Sequence, residues 1–170
     1  MRVIVPFGVS LILAAPALAF EAELEVEIPQ LSVAEYHRPY LAAWIERPDR
    51  SVVTTLALWY DLDNPKGEGD KWLKDIRQWW RRVGRDVEVP IDGVTSATRA
   101  PGTHAIGIDL TEPPLARLPE GDYTLVVEAA REVGGRELLK IPFAWPIASP
   151  QTLKAEGKNE LGDVVLELKP

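Results

Sequence analysis

The chain has 170 residues, a formal net charge of −7 and no cysteine. Without thiols it cannot build a thiolate metal site, a cysteine-ligated iron–sulfur cluster or a thioether-linked haem. Its acidic balance is a poor match to nucleic acid or to an anionic membrane surface, because both attract cationic proteins.

Residues 1–19 have the features of a secretory signal. Arg2 supplies a positive start, residues 3–13 are almost entirely apolar, and Ala17-Leu18-Ala19 is a small-x-small cleavage site. The apolar run is short for a membrane span; a retained N-terminal anchor is the alternative. We therefore predict a periplasmic protein whose mature chain, residues 20–170, forms one β-domain.

Three strands are predicted in the first third of the chain. Residues 22–28 alternate apolar side chains with glutamates, the period-two pattern of a strand with one wet face. Residues 40–46 and 52–62 are rich in apolar, aromatic and β-branched side chains, which favour strands. Residues 48–51 have turn composition, so we expect these two strands to form a hairpin.

One helix is predicted between a loop at residues 64–69 and Gly84. Asp70 is a suitable N-cap, and Gly84 stands where a left-handed residue would end the helix. An apolar stripe recurs between them at helical spacing: Trp72, Leu73, Ile76, Trp79, Trp80 and Val83. We interpret Trp72, Ile76 and Trp79 as core. Trp80, at the edge of the stripe, is the candidate for a partly exposed ring that stacks on a cofactor.

The second half of the chain is predicted to hold further short strands. They cover residues 86–89, 104–110, 123–132 and 136–145, with a final strand from residues 153–155 and 164–168. Residues 133–135 are read as a hairpin turn between two of them. Short strands separated by turn signals favour an all-β fold, specifically an immunoglobulin-like β-sandwich with one inserted amphipathic helix.

A short motif near the middle of the chain carries the strongest functional signal. It reads Asp92-Gly93-Val94-Thr95-Ser96-Ala97-Thr98. It resembles the acceptor motif of bacterial flavin transferases: Asp, two loosely defined residues, Ser or Thr, Gly or Ser, Ala, and Thr. Ser96 stands where many acceptors have Gly. The resemblance implies that Thr98 carries FMN through a phosphoester bond and that Asp92 helps to engage the transferase.

The chemistry of flavin attachment sets conditions on this segment. A threonine hydroxyl attacks the pyrophosphate of FAD only when a separate enzyme activates it, so the acceptor must enter that enzyme. The small residues and Pro101 favour an exposed, flexible loop. Arg99 is suited to pair with the phosphate on Thr98, and His104 could contact a bound flavin. An ordinary loop with an Asp-Gly turn is the alternative interpretation.

The mature chain as a whole resembles a known family. The segments that carry the similarity include Tyr36-His37-Arg38-Pro39-Tyr40, Thr55-Leu56-Ala57-Leu58-Trp59, Trp79-Trp80-Arg81 and Glu128-Ala129-Ala130-Arg131-Glu132. They are similar to the periplasmic family called domain of unknown function 2271. The resemblance implies association with flavin transferases and with membrane reductases of the peptidase-propeptide-like type, which serve iron uptake.

Three functions remain open from the sequence. The first is a periplasmic electron carrier or accessory protein with FMN on Thr98, rather than a free-standing enzyme. The second is a non-redox binding module that presents residues 99–102 and exposed aromatic rings. The third is a metal or haem site at His37 and His104, although these histidines lack a paired ligand spacing. Arg131 and Glu132 are interpreted as solvated charges.

Overall fold

Nine strands form two sheets in the computed structural model, which describes residues 21–170. The predicted secretion signal lies outside these residues. The strands are β1 Glu21–Ile28, β2 Tyr40–Glu46, β3 Val52–Tyr60, β4 Thr95–Ala97, β5 Gly102–Ile108, β6 Gly121–Ala130, β7 Arg136–Trp145, β8 Gln151–Glu156 and β9 Asp163–Lys169. The helical segments are α1 Arg77–Arg82 and the 3₁₀ helices Gly69–Asp75, Gly84–Asp86 and Leu115–Arg117. The all-β prediction is confirmed at this level.

The two sheets face each other across the larger core. One sheet has the order β5-β1-β9-β8 and the other β4-β3-β2-β6-β7. The alternating apolar residues of β1, such as Leu24 and Val26, are fully buried against residues of β2 and β6, such as Leu41 and Leu125. The predicted hairpins of β2 with β3 and β6 with β7 are both antiparallel and confirmed.

The helical insertion covers the outer face of the five-stranded sheet. A second apolar cluster joins Trp44, Leu58 and Val126 of the sheet to Leu73, Ile76 and Trp79 of the insertion. Strand β2 is therefore buried on both faces, which explains why its sequence is continuously apolar rather than alternating.

The single predicted helix is wrong, because the chain breaks at Ile76. Its φ and ψ are −77° and 71°, and its backbone N–H donates to the Leu73 carbonyl at 3.2 Å. A new helix then begins because the buried Glu128 carboxylate of β6 accepts the backbone N–H groups of Gln78 and Trp79 at 2.9–3.0 Å. A carboxylate from the sheet thus satisfies the free amides at the start of α1.

The break also corrects the interpretation of Trp72 as core. In a 3₁₀ helix, side chains three residues apart share a face, whereas in an α-helix those four apart also do. Leu73 therefore stays inside with Ile76, while Trp72 turns outward and is 47% exposed. Ile76 and Trp79 are fully buried, as predicted.

Other local predictions also need correction. Asp70 makes no capping hydrogen bond within the described residues; it lies inside the first 3₁₀ helix. Gly84 is not left-handed but starts a 3₁₀ turn, where an added Cβ would lie 2.5 Å from the Trp79 ring. The strand predicted at residues 86–89 is absent from the described part of the chain; Asp86 is the last residue of the 3₁₀ turn, and residues 87–89 after it pair with no strand. The predicted final strand is two strands, β8 and β9, paired antiparallel.

Candidate functional site

One end of the five-stranded sheet brings four strand ends into a single row. Tyr60 of β3 pairs with Ala97 of β4, and Tyr40 of β2 pairs with Ala130 of β6. The register of β2 with β3 places Tyr40 beside Tyr60, and their ring centroids are 6.3 Å apart. The residues that follow β3, β4 and β6, namely Asp61, Thr98 and Arg131, therefore emerge at the same end.

A cleft of about 380 Å³ lies over this row, and we call it the Thr98 cleft. Its volume is within the usual range for small-molecule sites, roughly 300–1,000 Å³. Twelve residues line it: Tyr36, His37, Arg38, Tyr40, Asp61, Asn64, Trp72, Asp75, Thr98, Ala130, Arg131 and Glu132. Aromatic rings and charges of both signs thus line the same cleft as Thr98.

Thr98 itself is held at the end of a short edge strand. Its backbone N–H donates to the Tyr60 carbonyl at 3.2 Å, and the Leu58 N–H donates to the Val94 carbonyl at 3.0 Å. The prediction of a flexible, open loop is therefore wrong, because residues Thr95–Ala97 pair in parallel with β3. Thr98 is half-buried and is one of the residues that line the cleft.

Arg131 is the least solvated cation of the Thr98 cleft. Its side chain is 6% exposed, so the interpretation as a solvated charge is wrong. Nε and Nη2 donate to the Glu160 carboxylate at 2.9 and 3.2 Å, and Glu160 also accepts the Gly135 N–H at 2.7 Å. Gly134 leaves room for the guanidinium, because an added Cβ would lie 2.5 Å from its Cζ. The β6–β7 turn thus packs against the Arg131 side chain and helps to hold it in place.

Two polar atoms beside this turn have no hydrogen-bond partner among the described residues. The Arg131 Nη1 and the Tyr36 hydroxyl are both buried and make no hydrogen bond within residues 21–170. The two side chains are neighbours, since the guanidinium carbon lies 5.9 Å from the Tyr36 ring centre, at the outer limit of a cation–π interaction. A buried donor without a partner costs stability, so such atoms mark places where a ligand can supply the missing bond.

The tyrosines of the cleft stay protonated at neutral pH. Burial, reinforced by the charge of Asp61, raises the pKa of Tyr40 to about 12, while its hydroxyl donates to the Gly69 carbonyl at 2.9 Å. Burial also raises the pKa of Tyr36, against the opposing effect of the Arg131 charge. Both hydroxyls are thus hydrogen-bond donors rather than anions.

Several predicted site residues lie in a second cleft. This Arg99 cleft, of about 460 Å³, is lined by Ser96, Arg99 and His104 together with Trp59. The Arg99 guanidinium lies 5.5 Å from the Trp59 ring centre, the His104 ring is 5.7 Å from it, and His104 Nε2 contacts the Ala100 carbonyl at 2.8 Å. Thr98 does not border this second cavity, so Ser96, Arg99 and His104 lie apart from the Thr98 cleft.

Of the remaining predicted site residues, two lie away from both cavities and one stabilises the turn before β4. Asp92 is exposed in the turn before β4. Thr95 Oγ1 accepts the Ile91 N–H at 2.8 Å and fixes that turn, although Thr95 also borders the Arg99 cleft. Trp80 is half-buried beside the second apolar cluster and lines neither the Thr98 cleft nor the Arg99 cleft.

Most of the Thr98 cleft could not be predicted from the sequence. Its lining comes from separate segments: Tyr36 and Tyr40 belong to one, Trp72 to a second and Arg131 to a third, and no local spacing connects the three. Tyr36, Tyr40 and Arg131 do lie in the segments that carry the family resemblance. The pairing of β2 with β6 would have indicated the site, because Tyr40 begins β2 and Arg131 follows the end of β6, so the antiparallel pair brings the two residues to the same edge.

The two histidines are not brought together. His37 borders the Thr98 cleft, where its ring nitrogens lie 3.0 Å from Glu35 and 3.6 Å from Glu132, whereas His104 borders the Arg99 cleft. Across residues 21–170, no three side chains of His, Asp or Glu converge as metal ligands. None of the helices in this described part has the length and apolar character to cross a membrane.

Comparison with known proteins places the chain in a family. Residues 21–163 match the family model described as "Predicted periplasmic protein (DUF2271)". No curated protein gives a significant match. No solved structure does so either. The match covers well over half of the chain, and the location it assigns is periplasmic. The protein belongs to the DUF2271 family of periplasmic proteins.

Proposed function

We propose that Thr98 accepts FMN from a flavin transferase and that the protein then acts as a periplasmic electron carrier or accessory protein. The observation that carries the proposal is the position of Thr98. Thr98, the last residue of the acceptor-like motif, lines a cleft of about 380 Å³. The aromatic side chains of Tyr36, Tyr40 and Trp72 also line it, and two buried polar atoms there make no hydrogen bond to the described residues. The residues present therefore fit a planar, polar-edged ring system.

The attachment step transfers a phosphoryl group and moves no electrons. Thr98 Oγ attacks the FAD phosphorus that bears the riboflavin chain. The new Oγ–P bond forms as the P–O bond to the second phosphate breaks, and AMP leaves. The hydroxyl proton passes to a base of the transferase, and the transferase's metal stabilises the departing charge.

The edge position of β4 supports access by the transferase. The strand has three residues, and its pairing with β3 is its main backbone attachment. Edge strands are available to other chains because one of their sides is unpaired. We infer that the segment from the Gly93 turn, where φ is 71°, to Pro101 lifts from β3 to enter the transferase and returns afterwards.

The chain's own residues can bind and shield the tethered group. Trp72, 47% exposed, and Tyr40 offer ring faces to an isoalloxazine. Bound FMN supplies one- and two-electron transfer. The exposed position of Trp72 leaves one side open for a redox partner. From the family resemblance, we infer that this partner is a membrane reductase of the peptidase-propeptide-like type serving iron uptake.

The proposal is tested by intact mass. The protein is co-expressed in the periplasm with a flavin transferase, next to Thr98→Val and the matched control Thr103→Val, an exposed threonine of β5. We expect wild type and control to gain the mass of FMN less one water, with in-gel flavin fluorescence, and Thr98→Val to gain neither. Folded wild-type protein without the increment, beside a transferase that loads a known acceptor, would overturn the proposal.

A non-redox binding module is the second candidate. We infer that the two facing sheets form one immunoglobulin-like sandwich, which is supported by Tyr123. Its hydroxyl donates to the Pro119 carbonyl at 2.8 Å at the start of β6, as in the tyrosine corner of such domains. The partly exposed Arg99 cleft would then be the binding surface. A colourless protein that captures a periplasmic partner through residues 99–102 would favour this function.

A further inference from the structure

We propose that Tyr36 and Arg131 form a polar corner that binds the dioxopyrimidine edge of the flavin tethered to Thr98. This inference rests on the proposed function and extends it to the orientation and redox tuning of the bound ring. It assigns Glu160 as the positioning residue that holds Arg131 in place.

The polar corner is built before any ligand arrives. Arg131 is 94% buried as a side chain, yet Nη1 makes no hydrogen bond in the described part of the chain, and the same holds for the buried Tyr36 hydroxyl. Proteins rarely leave such donors unpaired, because a buried donor that has lost its bonds to water destabilises the fold. Glu160 occupies only Nε and Nη2, so the remaining nitrogen is free for an acceptor.

The hydrogen-bonding capacity of the corner matches one kind of chemical edge. Arg131 Nη1 can only donate, whereas the Tyr36 hydroxyl can donate and accept. The complementary edge presents a carbonyl oxygen next to an N–H group. The dioxopyrimidine ring of a flavin alternates carbonyl, N–H and carbonyl, so one carbonyl can accept from both Arg131 Nη1 and the Tyr36 hydroxyl, whose oxygen can also accept the neighbouring N–H.

The strand order sets the distance that the tethered group must span. Thr98 follows β4 and Arg131 follows β6, which are three strand spacings apart in the order β4-β3-β2-β6. At about 4.8 Å per spacing, the two backbone positions are separated by roughly 14 Å.

The flavin has the length to cross this separation. Three extended backbone bonds span about 3.3–3.6 Å, so the seven bonds from phosphorus through the ribityl chain to the ring span about 8 Å. The tricyclic ring bridges the remainder and passes Tyr40 and Asp61, which lie at the intervening strands β2 and β3. Its far edge then reaches the polar corner.

The polar corner also affects the bound group's reduction. A guanidinium beside a carbonyl stabilises added electron density, because charge interactions are strong in a site of low dielectric constant. Glu160 offsets the charge but leaves the Nη1 donor in place. We therefore expect Arg131 and Tyr36 to raise the flavin's reduction potential.

Tyr36→Phe is the decisive variant. Because the hydroxyl has no hydrogen-bond partner within residues 21–170, its removal should leave the melting temperature of the unloaded protein unchanged or raised. In the loaded protein, the flavin carbonyl stretches should move to higher frequency. The equilibrium constant for reduction should fall about tenfold, which is about 30 mV for a two-electron couple.

A double variant tests Arg131 without stranding a charge. Arg131→Met alone would leave the Glu160 charge buried without its cation, but Arg131→Met with Glu160→Gln removes both charges and keeps an oxygen that accepts the Gly135 N–H. We expect the same spectral and redox shifts as for Tyr36→Phe. The control is Tyr123→Phe, which loses the bond to Pro119 and should lower the melting temperature without altering the flavin.

The outcomes separate the two claims. A mass increment on Thr98 with shifted carbonyl bands and potential in both corner variants supports the inference. An increment with bands and potential identical to wild type would overturn the polar corner while leaving flavin attachment intact. Absence of the increment would overturn the attachment itself, and the inference with it.

Discussion

Arg131 and Glu160 form a buried, two-point ion pair that joins the β6–β7 turn to the β8–β9 connection, with N–O distances of 2.9 and 3.2 Å. Their side chains are 6% and 4% exposed. The pair thus ties the two sheets together at the end that holds the Thr98 cleft.

Breaking this pair on one side should be costly. Glu160→Gln leaves the Arg131 charge buried without a counter-charge, so we expect the free energy of unfolding to fall by about 3–5 kcal/mol. Urea denaturation measures this change. Glu68→Gln breaks the exposed pair with Lys71 and serves as the control, with a cost of about 0–1 kcal/mol. Equal losses in the two variants would contradict the role given to burial.

Gly84 should tolerate no side chain. In Gly84→Ala the new methyl group would lie 2.5 Å from the Trp79 ring and 2.7 Å from the Trp80 ring, so the helical insertion must shift. Overpacking of this kind costs about 1–3 kcal/mol, measurable by thermal unfolding. Gly107→Ala on β5 is the matched control, because no described atom lies within 4 Å of its added Cβ. A stable Gly84→Ala variant would refute the close packing of the two rings.

Truncation of the two tryptophans on either side of the break at Ile76 should lower the free energy of unfolding by very different amounts. Trp79 is fully buried and its Nε1 donates to Thr55 Oγ1 at 3.1 Å, so Trp79→Ala should cost about 3–5 kcal/mol. Trp72→Ala should cost less than about 1 kcal/mol, since the ring is 47% exposed. Chemical denaturation of both variants and of wild type measures the two losses in the free energy of unfolding. A large loss for Trp72→Ala would indicate one continuous helix instead.

Acid should loosen the β8–β9 connection through Glu137. Its carboxylate accepts four backbone N–H groups, from Lys158, Asn159, Glu160 and Leu161, at 2.8–3.0 Å. Burial favours the neutral acid, but these hydrogen bonds outweigh it and lower the pKa of Glu137. Because the folded-state pKa is lowered, the stabilisation is complete above the unfolded value, about 4.3, and is lost as the pH falls below it.

Unfolding curves between pH 7 and pH 3 test this prediction. We expect Glu137→Gln to be less stable than wild type at pH 7 and to lose less stability on acidification. Glu120→Gln, an exposed carboxyl beside β6, controls for the loss of one charge. Parallel pH profiles for wild type and Glu137→Gln would show that this carboxylate is not responsible.

Local patterns predicted the strands better than the helix. The alternation of β1 and the turn composition around residues 48–51 are properties of neighbouring residues, and they gave the correct elements. The break at Ile76 depends on Glu128, which lies far away in sequence and supplies the acceptor that starts α1. The exposure of Trp72 follows from that break, so a helical stripe could not reveal it.

The same limit applies to the candidate site. Thr98 could be predicted as a candidate acceptor because its motif is local. Arg131 looked like an ordinary surface charge in sequence, and only the Glu160 carboxylate on another hairpin shows why it is buried. Tyr36 and Tyr40 were visible as part of a family resemblance, but their shared cleft requires the register of β2 with β3 and β6.

The parallel pairing of β4 with β3 has a consequence for how such a protein can be altered. A direct hairpin after Tyr60 would run antiparallel and release the proposed acceptor, Thr98, at the opposite end of the sheet. The crossover that contains α1 carries the chain back, so that Thr98 emerges beside Asp61. Shortening the crossover to a tight turn would preserve the motif letter for letter yet separate it from its cleft. Under the proposed function, a relative or redesigned chain therefore needs this crossover as well as the motif.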